Sequence, residues 1–211
     1  MGSKNNKIRV RAFTNFLFDK LGYKVNVEGR IPKEGPRVLV LLHQNSLDAI
    51  SLMHGIDDYL AFTYKVTEQG KVIALWMMPY IGGIKASDSY LQIKKLFRHW
   101  DEESIVVVFP QGVFEDGKVS HVSSGIAKIV EIYEQGRGRQ VSIIPVGIEY
   151  EPPKRLPKRA PVPLFKFPFP GTKATLRFAN PEHLDGRSPQ ELTQIVMQEA
   201  ARLSRLDYVI A

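Results

Sequence analysis

Residues 38–53, VLVLLHQNSLDAISLM, decide the fold. The run Val38–Leu42 is continuously apolar, as in a strand buried on both faces, and such strands occur in sheets sandwiched between helices. Polar residues able to cap a helix follow, and a helical segment begins at Ala49. We therefore predict a strand, a loop and a helix, with His43 at the carboxyl end of the strand. In α/β folds, ligands bind at this end of a strand.

Strand-like and helix-like segments alternate along the rest of the 211-residue chain. Apolar alternation and apolar runs predict strands at 23–27, 59–64, 105–109, 141–150 and 174–178. Helical spacing of apolar residues predicts helices at 90–100, 124–135 and 189–204. The length fits one domain, and the alternation predicts an α/β fold with helices on both faces of a mixed, largely parallel sheet.

Residues 1–22 are predicted to form a basic amphipathic helix ahead of a domain that spans residues 23–211. Apolar residues between Ile8 and Leu21 recur at helical spacing, with lysines and arginines off that stripe. Two interpretations stay open: the helix packs on the domain, or it lies along a membrane surface. Phenylalanines close to the basic residues support the second interpretation.

The composition excludes several classes of protein. The chain has no cysteine, which rules out a disulfide scaffold, a thiolate nucleophile and a zinc site built on cysteine. No run of about 18 apolar residues occurs, and the start lacks the apolar middle of a signal peptide. We therefore expect neither a membrane-spanning segment nor export.

The net charge of +7 favours an anionic partner. Nucleic acid is not expected, because the sequence contains no nucleic-acid reading motif. A nucleotide-bearing thioester or an anionic lipid surface fits the charge better. We expect a cytoplasmic protein that binds peripherally to the inner face of a membrane.

A proline-rich segment, residues 152–170, stands apart from the alternating pattern. It contains seven prolines together with five lysines and arginines, a composition typical of a stiff, extended, cationic loop. Phenylalanines lie among the last of these prolines. The segment either meets an anionic bilayer or folds its aromatic side chains onto the core, and both interpretations stay open.

His43 and Asp48 form the candidate catalytic pair. A histidine at the mouth of a buried strand suits general base chemistry, since its charge changes near neutral pH. A carboxylate on the other ring nitrogen would fix the tautomer and stabilise the imidazolium. The same spacing also arises by chance, so the spacing alone leaves a structural role for His43 as an open alternative. The position of His43 at a strand end is stronger support for a catalytic role than the spacing is.

Three blocks of the sequence resemble the glycerolipid acyltransferase family, the lysophosphatidate and glycerol-phosphate acyltransferases. LLHQNSLDAI at 41–50 resembles that family's H-x-x-x-x-D block, and VVVFPQG at 106–112 is similar to its strand ending in FPEG. SSGIAKIVEIYEQGRGRQVSIIPVGIEYE at 123–151 resembles a later helix and strand of the family. The ordered match covers roughly residues 23–183, and the order is more specific than any single block.

The resemblance implies a glycerol-phosphate acyltransferase-like α/β fold with His43 as general base and Asp48 as its partner. The expected donor is acyl-CoA or acyl carrier protein, and the expected acceptor is a hydroxyl of a lysophospholipid-like or other lipid. No cofactor is expected, and no metal, since no set of His, Asp and Glu has ligand spacing. The expected substrate-binding residues are Ser46, Lys85, Phe109, Pro110, Gln111 and Gly112.

Two departures from the family pattern bear on the acceptor. Asp88 stands where the family has an arginine that is thought to hold the acceptor's phosphate, and Gln111 replaces a glutamate. A phosphate beside Asp88 would be repelled unless a cation such as Lys85 compensates. The alternatives are therefore an acceptor without phosphate, such as a glycolipid or lipid glycoside, and a non-catalytic lipid-binding relative.

A thioesterase or lipase is disfavoured. The sequence contains no G-x-S-x-G nucleophile elbow, and Ser46 lies outside any such strained turn. Accumulation of an acyl-enzyme intermediate would indicate a thioesterase or lipase.

Overall fold

The computed structural model describes residues 18–44, 48–64, 83–85, 90–110, 118–119, 122–151 and 171–208, and also Ala12, Asn15 and Phe16. The proline-rich segment and most of the predicted N-terminal helix lie outside these residues. Ala12, Asn15, Phe16 and residues 18–20 are helical. No helix within the described ranges is both long and apolar enough to cross a membrane.

The described residues form nine strands and four further helices. The strands are β1 (Lys24–Glu28), β2 (Arg37–Leu41), β3 (Leu60–Tyr64), β4 (Ile84–Lys85), β5 (Ile105–Val108), β6 (Lys118–Val119), β7 (Ser142–Glu151), β8 (Lys173–Phe178) and β9 (Asp207–Tyr208). The helices are α1 (Asp48–Gly55), α2 (Tyr90–Asp101), α3 (Gly125–Arg137) and α4 (Pro189–Ser204). Each predicted strand, and each helix predicted after residue 22, overlaps one of these elements.

Seven strands form one sheet in the order β1-β8-β7-β2-β5-β3-β4. The strands from β7 to β4 all run parallel, and β2 lies between β7 and β5. The pair β7 and β8 is antiparallel, so β8 and its parallel partner β1 run the opposite way. The prediction of a mixed, largely parallel sheet is confirmed.

Strand β2 explains why residues Val38–Leu41 are apolar without interruption. All five residues of β2 are buried, and the side chains after Arg37 enter hydrophobic cores on alternate faces of the sheet. The first core, with side chains from α2, α3 and α4, includes Val38, Val40, Trp100, Tyr133 and Val196. The second core, with side chains from α1, includes Leu39, Leu41, Leu52 and Ile56. Helices therefore cover both faces, as predicted.

Gly147 in β7 allows α4 to approach the sheet closely. A Cβ at this position would overlap the carbonyl carbon of Leu203 and lie 2.6 Å from the backbone nitrogen of Ser204. The same closeness lets the amide of Ile148 donate to the Ser204 hydroxyl at 3.2 Å. The contact between strand and helix therefore has no room for a side chain.

Replacing Gly147 with alanine is expected to destabilise the fold by about 2–3 kcal/mol, because the added methyl meets backbone atoms that cannot move aside cheaply. Urea unfolding measures the loss. Gly136→Ala in α3 is the matched control: its Cβ would meet nothing within 4 Å, and alanine is the better helix former, so stability stays equal or rises by up to about 1 kcal/mol. Equal stability of the two variants would contradict the close approach.

Candidate active site

His43 and Asp48 meet at the carboxyl end of β2. The strand ends at Leu41, His43 follows two residues later, and α1 begins at Asp48. Nδ1 of His43 lies 2.9 Å from Oδ2 of Asp48. Because a carboxylate accepts hydrogen bonds, Nδ1 carries the proton, and the lone pair of the neutral ring is on Nε2. The Asp48 side chain is fully buried, whereas the His43 side chain is 22% exposed.

Two further described groups donate hydrogen bonds to the buried Asp48 carboxylate. The backbone amide of Gln44 donates to Oδ2 at 2.7 Å, and the hydroxyl of Tyr150 donates to Oδ1 at 2.6 Å. Asp48 also occupies the first turn of α1, where the helix dipole favours negative charge. Several donors around one carboxylate stabilise its charge and fix its orientation, so a buried acid is tolerated here.

A chain of hydroxyl groups continues behind Asp48. Ser51 Oγ lies 3.4 Å from the Tyr150 hydroxyl and 2.8 Å from the Tyr23 hydroxyl. Burial raises the pKa of Tyr23 to about 12, and the charge of Asp48 adds to this while the Ser51 hydrogen bond opposes it. Burial and the nearby Asp48 charge raise the pKa of Tyr150 well above its usual value. Both phenols therefore keep their protons through neutral pH.

Phe109 packs directly on the candidate base. Its ring centroid lies 4.5 Å from that of His43, with the two rings tilted by 41°. Phe109 follows β5, which pairs in parallel with β2, so the two strand ends meet at the same edge of the sheet. Pro110 is buried, and its carbonyl accepts a hydrogen bond from the Ser123 amide at 3.2 Å, which ties the end of β5 to the residues just before α3.

The other predicted substrate-binding residues divide into two groups. Ser46, Gln111 and Gly112 lie outside the described residues. Lys85 is exposed on β4, the edge strand that β5 and β3 separate from β2. At about 4.8 Å per strand, this places its backbone roughly 14 Å from the end of β2. The structure therefore brings Phe109 and Pro110 to the His43 edge and leaves Lys85 at the side of the sheet.

Sequence reasoning missed Tyr150, Ser51 and Tyr23. Tyr150 is 102 positions from Asp48 along the chain and meets it because β7 is the neighbour of β2 and extends past its end. The position of Tyr150 near the end of a predicted strand was visible in the sequence, but the strand order was not. Across the described ranges, no group of three or more His, Cys, Asp or Glu side chains is placed to hold a metal.

The fold and the His43–Asp48 pair together define an α/β protein with a candidate general base at the carboxyl edge of its parallel strands. A family model described as Acyltransferase matches residues 24–149. The chain belongs to this acyltransferase family, whose members act on an acyl donor and a lipid acceptor. The resemblance to glycerolipid acyltransferases indicated by the sequence blocks is confirmed.

The fold is also similar to a solved structure, that of the 1-acyl-sn-glycerophosphate (LPA) acyltransferase PlsC from Thermotoga maritima. The TM-score is 0.63 with 21% sequence identity, over 94% of this chain and 78% of that chain. At this identity the match supports the fold. No curated protein matches the sequence.

Proposed function

We propose that this acyltransferase moves a fatty acyl group from acyl-CoA or acyl carrier protein to a hydroxyl of a lysophospholipid-like or other lipid acceptor, with His43 as general base and Asp48 as the residue that orients it. The observation that carries the proposal is the 2.9 Å hydrogen bond between His43 and the fully buried Asp48 at the end of β2. A partly exposed imidazole held by a buried carboxylate has the geometry of a base that faces substrate on one side.

The proposed reaction uses both ring nitrogens of His43. Nε2 takes the proton of the acceptor hydroxyl while its oxygen attacks the thioester carbonyl, and Asp48 stabilises the imidazolium through Nδ1. The tetrahedral intermediate then collapses, the carbon–sulfur bond breaks, and the imidazolium returns the proton to the leaving thiolate. The products are an ester and a free thiol, with no change of oxidation state. We propose that neither a metal nor a cofactor takes part.

A second candidate acceptor is a lipid without phosphate, such as a glycolipid or lipid glycoside. The observation that favours it is Asp88 at the position where the family's phosphate-holding arginine is expected. Lys85, three residues earlier in the sequence, is a cation that could compensate, but it lies on the edge strand β4, three strands from β2. An uncharged headgroup avoids the cost of bringing a phosphate beside a carboxylate.

We also propose that the protein works at the inner surface of an anionic membrane. Among the helical residues before β1, Phe18 is buried against Tyr23, while Phe16 is 60% exposed. Lys20 lies 5.8 Å from the ring centroid of Phe16, so a cation and an exposed aromatic ring share one outer surface. Such a combination suits the interface of an anionic bilayer, where the ring enters the lipid and the cation meets the headgroups.

Product analysis with one labelled acyl-CoA and a mixed lipid extract tests the acceptor. Mass spectrometry is expected to find the label in a lipid ester, also in the presence of EDTA. Lysophosphatidate and the monoacylglycerol that lacks only its phosphate form a matched pair of acceptors in a follow-up assay. Exclusive, efficient use of lysophosphatidate would eliminate the phosphate-free candidate. Absence of any labelled ester, with acyl carrier protein thioesters as well, would contradict acyl transfer.

A further inference from the structure

Three elements converge on the side of Asp48 that faces away from His43. Tyr150 comes from the end of β7, Ser51 from α1, and Tyr23 from the turn that precedes β1. Tyr150 makes the direct contact, at 2.6 Å from Oδ1, whereas Ser51 and Tyr23 lie behind it. The bond between Tyr150 and Asp48 is shorter than the ordinary distance for a hydroxyl donor, as expected for a charged acceptor.

We propose that Tyr150 is a positioning residue for acyl transfer, whose hydroxyl locks the Asp48 carboxylate so that Oδ2 stays aligned with His43; this inference rests on the proposed function. A carboxylate can rotate about its last side-chain bond, a torsion with a broad energy minimum. Rotation of Asp48 would break the bonds to Tyr150 on Oδ1 and to the Gln44 amide and His43 on Oδ2. Tyr150 supplies a tether on Oδ1, the oxygen that His43 does not use.

The titratable groups that face Tyr150 favour its role as hydrogen-bond donor to Asp48. Asp48 and Tyr23 are the charged and titratable neighbours whose fields act on it, and both favour the protonated phenol. Asp48 accepts and cannot supply a proton to the pair as a carboxylate, so Tyr150 is the donor. Loss of this donor frees the Asp48 carboxylate to turn away from His43. The change acts on catalysis through His43 and removes no contact with substrate.

Tyr150→Phe keeps the ring and removes only the hydroxyl. The expected result is a fall in kcat of about ten- to a hundredfold with KM for the acyl donor unchanged, because misalignment of a base by an ångström or less has effects of this size. The limb of the pH profile of kcat/KM that reports imidazole protonation is expected to move to lower pH, since a carboxylate that turns away from Nδ1 of His43 stabilises the imidazolium less. Tyr23→Phe is expected to lower kcat and to shift the pH profile in the same direction as Tyr150→Phe, with smaller effects on both.

Tyr133→Phe is the matched control. The Tyr133 hydroxyl also donates to a carboxylate, Asp101 Oδ1 at 2.9 Å, and its pKa is likewise raised by burial, to about 12. This pair joins α3 to α2 on the opposite face of the sheet from α1. The control variant is expected to lose some thermal stability and to keep the wild-type kcat and pH profile.

Two outcomes would overturn the inference. One is a Tyr150→Phe protein with wild-type kcat and pH profile. The other is a Tyr150→Phe protein that differs from wild type only in melting temperature, as Tyr133→Phe is expected to do. His43→Ala separates these outcomes from failure of the proposed function: if that variant is inactive, only the role of Tyr150 is rejected, and if it is active, the general base itself is rejected.

Discussion

His43→Ala is expected to lower kcat/KM for acyl transfer by about a thousandfold or more. General base catalysis alone contributes about 10²–10⁴-fold, and removal of a histidine that works as a unit with its carboxylate costs at least the upper part of that range. Initial rates of thiol release from acyl-CoA in the presence of acceptor measure the loss. The fold is expected to survive, because the His43 side chain is partly exposed and its bond to Asp48 lies at the end of the strand, outside the two cores.

His183→Ala provides a control for loss of an imidazole. His183 also forms a hydrogen bond through Nδ1, with the carbonyl of Val141 at 3.1 Å. Val141 precedes β7, so this bond lies at the amino ends of the parallel strands, whereas His43 lies at their carboxyl ends. The control variant should retain the wild-type rate. Retained activity in His43→Ala, with circular dichroism and melting temperature unchanged, would end its assignment as the base.

Asp48→Asn is expected to lower kcat by about 10³–10⁴-fold, the cost of losing the equivalent carboxylate in a histidine-based catalytic site. The substitution keeps the size of the side chain but leaves one acceptor oxygen for three donors, from His43, Gln44 and Tyr150. If the amide nitrogen faces His43, it forces the proton onto Nε2, which can then no longer act as base. In either orientation the imidazolium loses its negative partner.

Asp101→Asn is the corresponding control for an aspartate that accepts from a tyrosine. Asp101 accepts from Tyr133 at 2.9 Å and pairs with Arg137 at 3.4 Å, but it lies in α2, away from the His43 edge. Its replacement should reduce stability slightly and leave kcat unchanged. A wild-type kcat for Asp48→Asn would show that His43 needs no carboxylate, and the proposed mechanism would be wrong in that part.

The strand and helix that hold the candidate pair were predictable because one short stretch contains both signals. A strand buried on both faces has to be apolar at every position. The side chains of Val38–Leu42 are all apolar, and they pack alternately into the cores on the two faces of the sheet. The residues able to cap a helix that follow this strand predicted the start of α1. The pairing of His43 with Asp48 was predictable for the same reason, since both residues belong to this one local unit.

Long-range order was less accessible to sequence reasoning. The strand order, which places β7 rather than β1 beside β2, depends on packing of the whole sheet. The contact of Tyr150 with Asp48 follows from that order and leaves no local pattern. Strands β4, β6 and β9 have two residues each, too few for any periodicity, so neither they nor the edge position of Lys85 was foreseen.

The most direct test of acyl transfer through His43 is the stoichiometry of thiol release and ester formation, measured together with and without a lipid acceptor. Wild-type protein is expected to form one ester for each thiol released, and thiol release should depend on the acceptor and fall about a thousandfold in His43→Ala. Thiol release at the same rate without acceptor, with free fatty acid as the product, would instead show a hydrolase and contradict the proposed function.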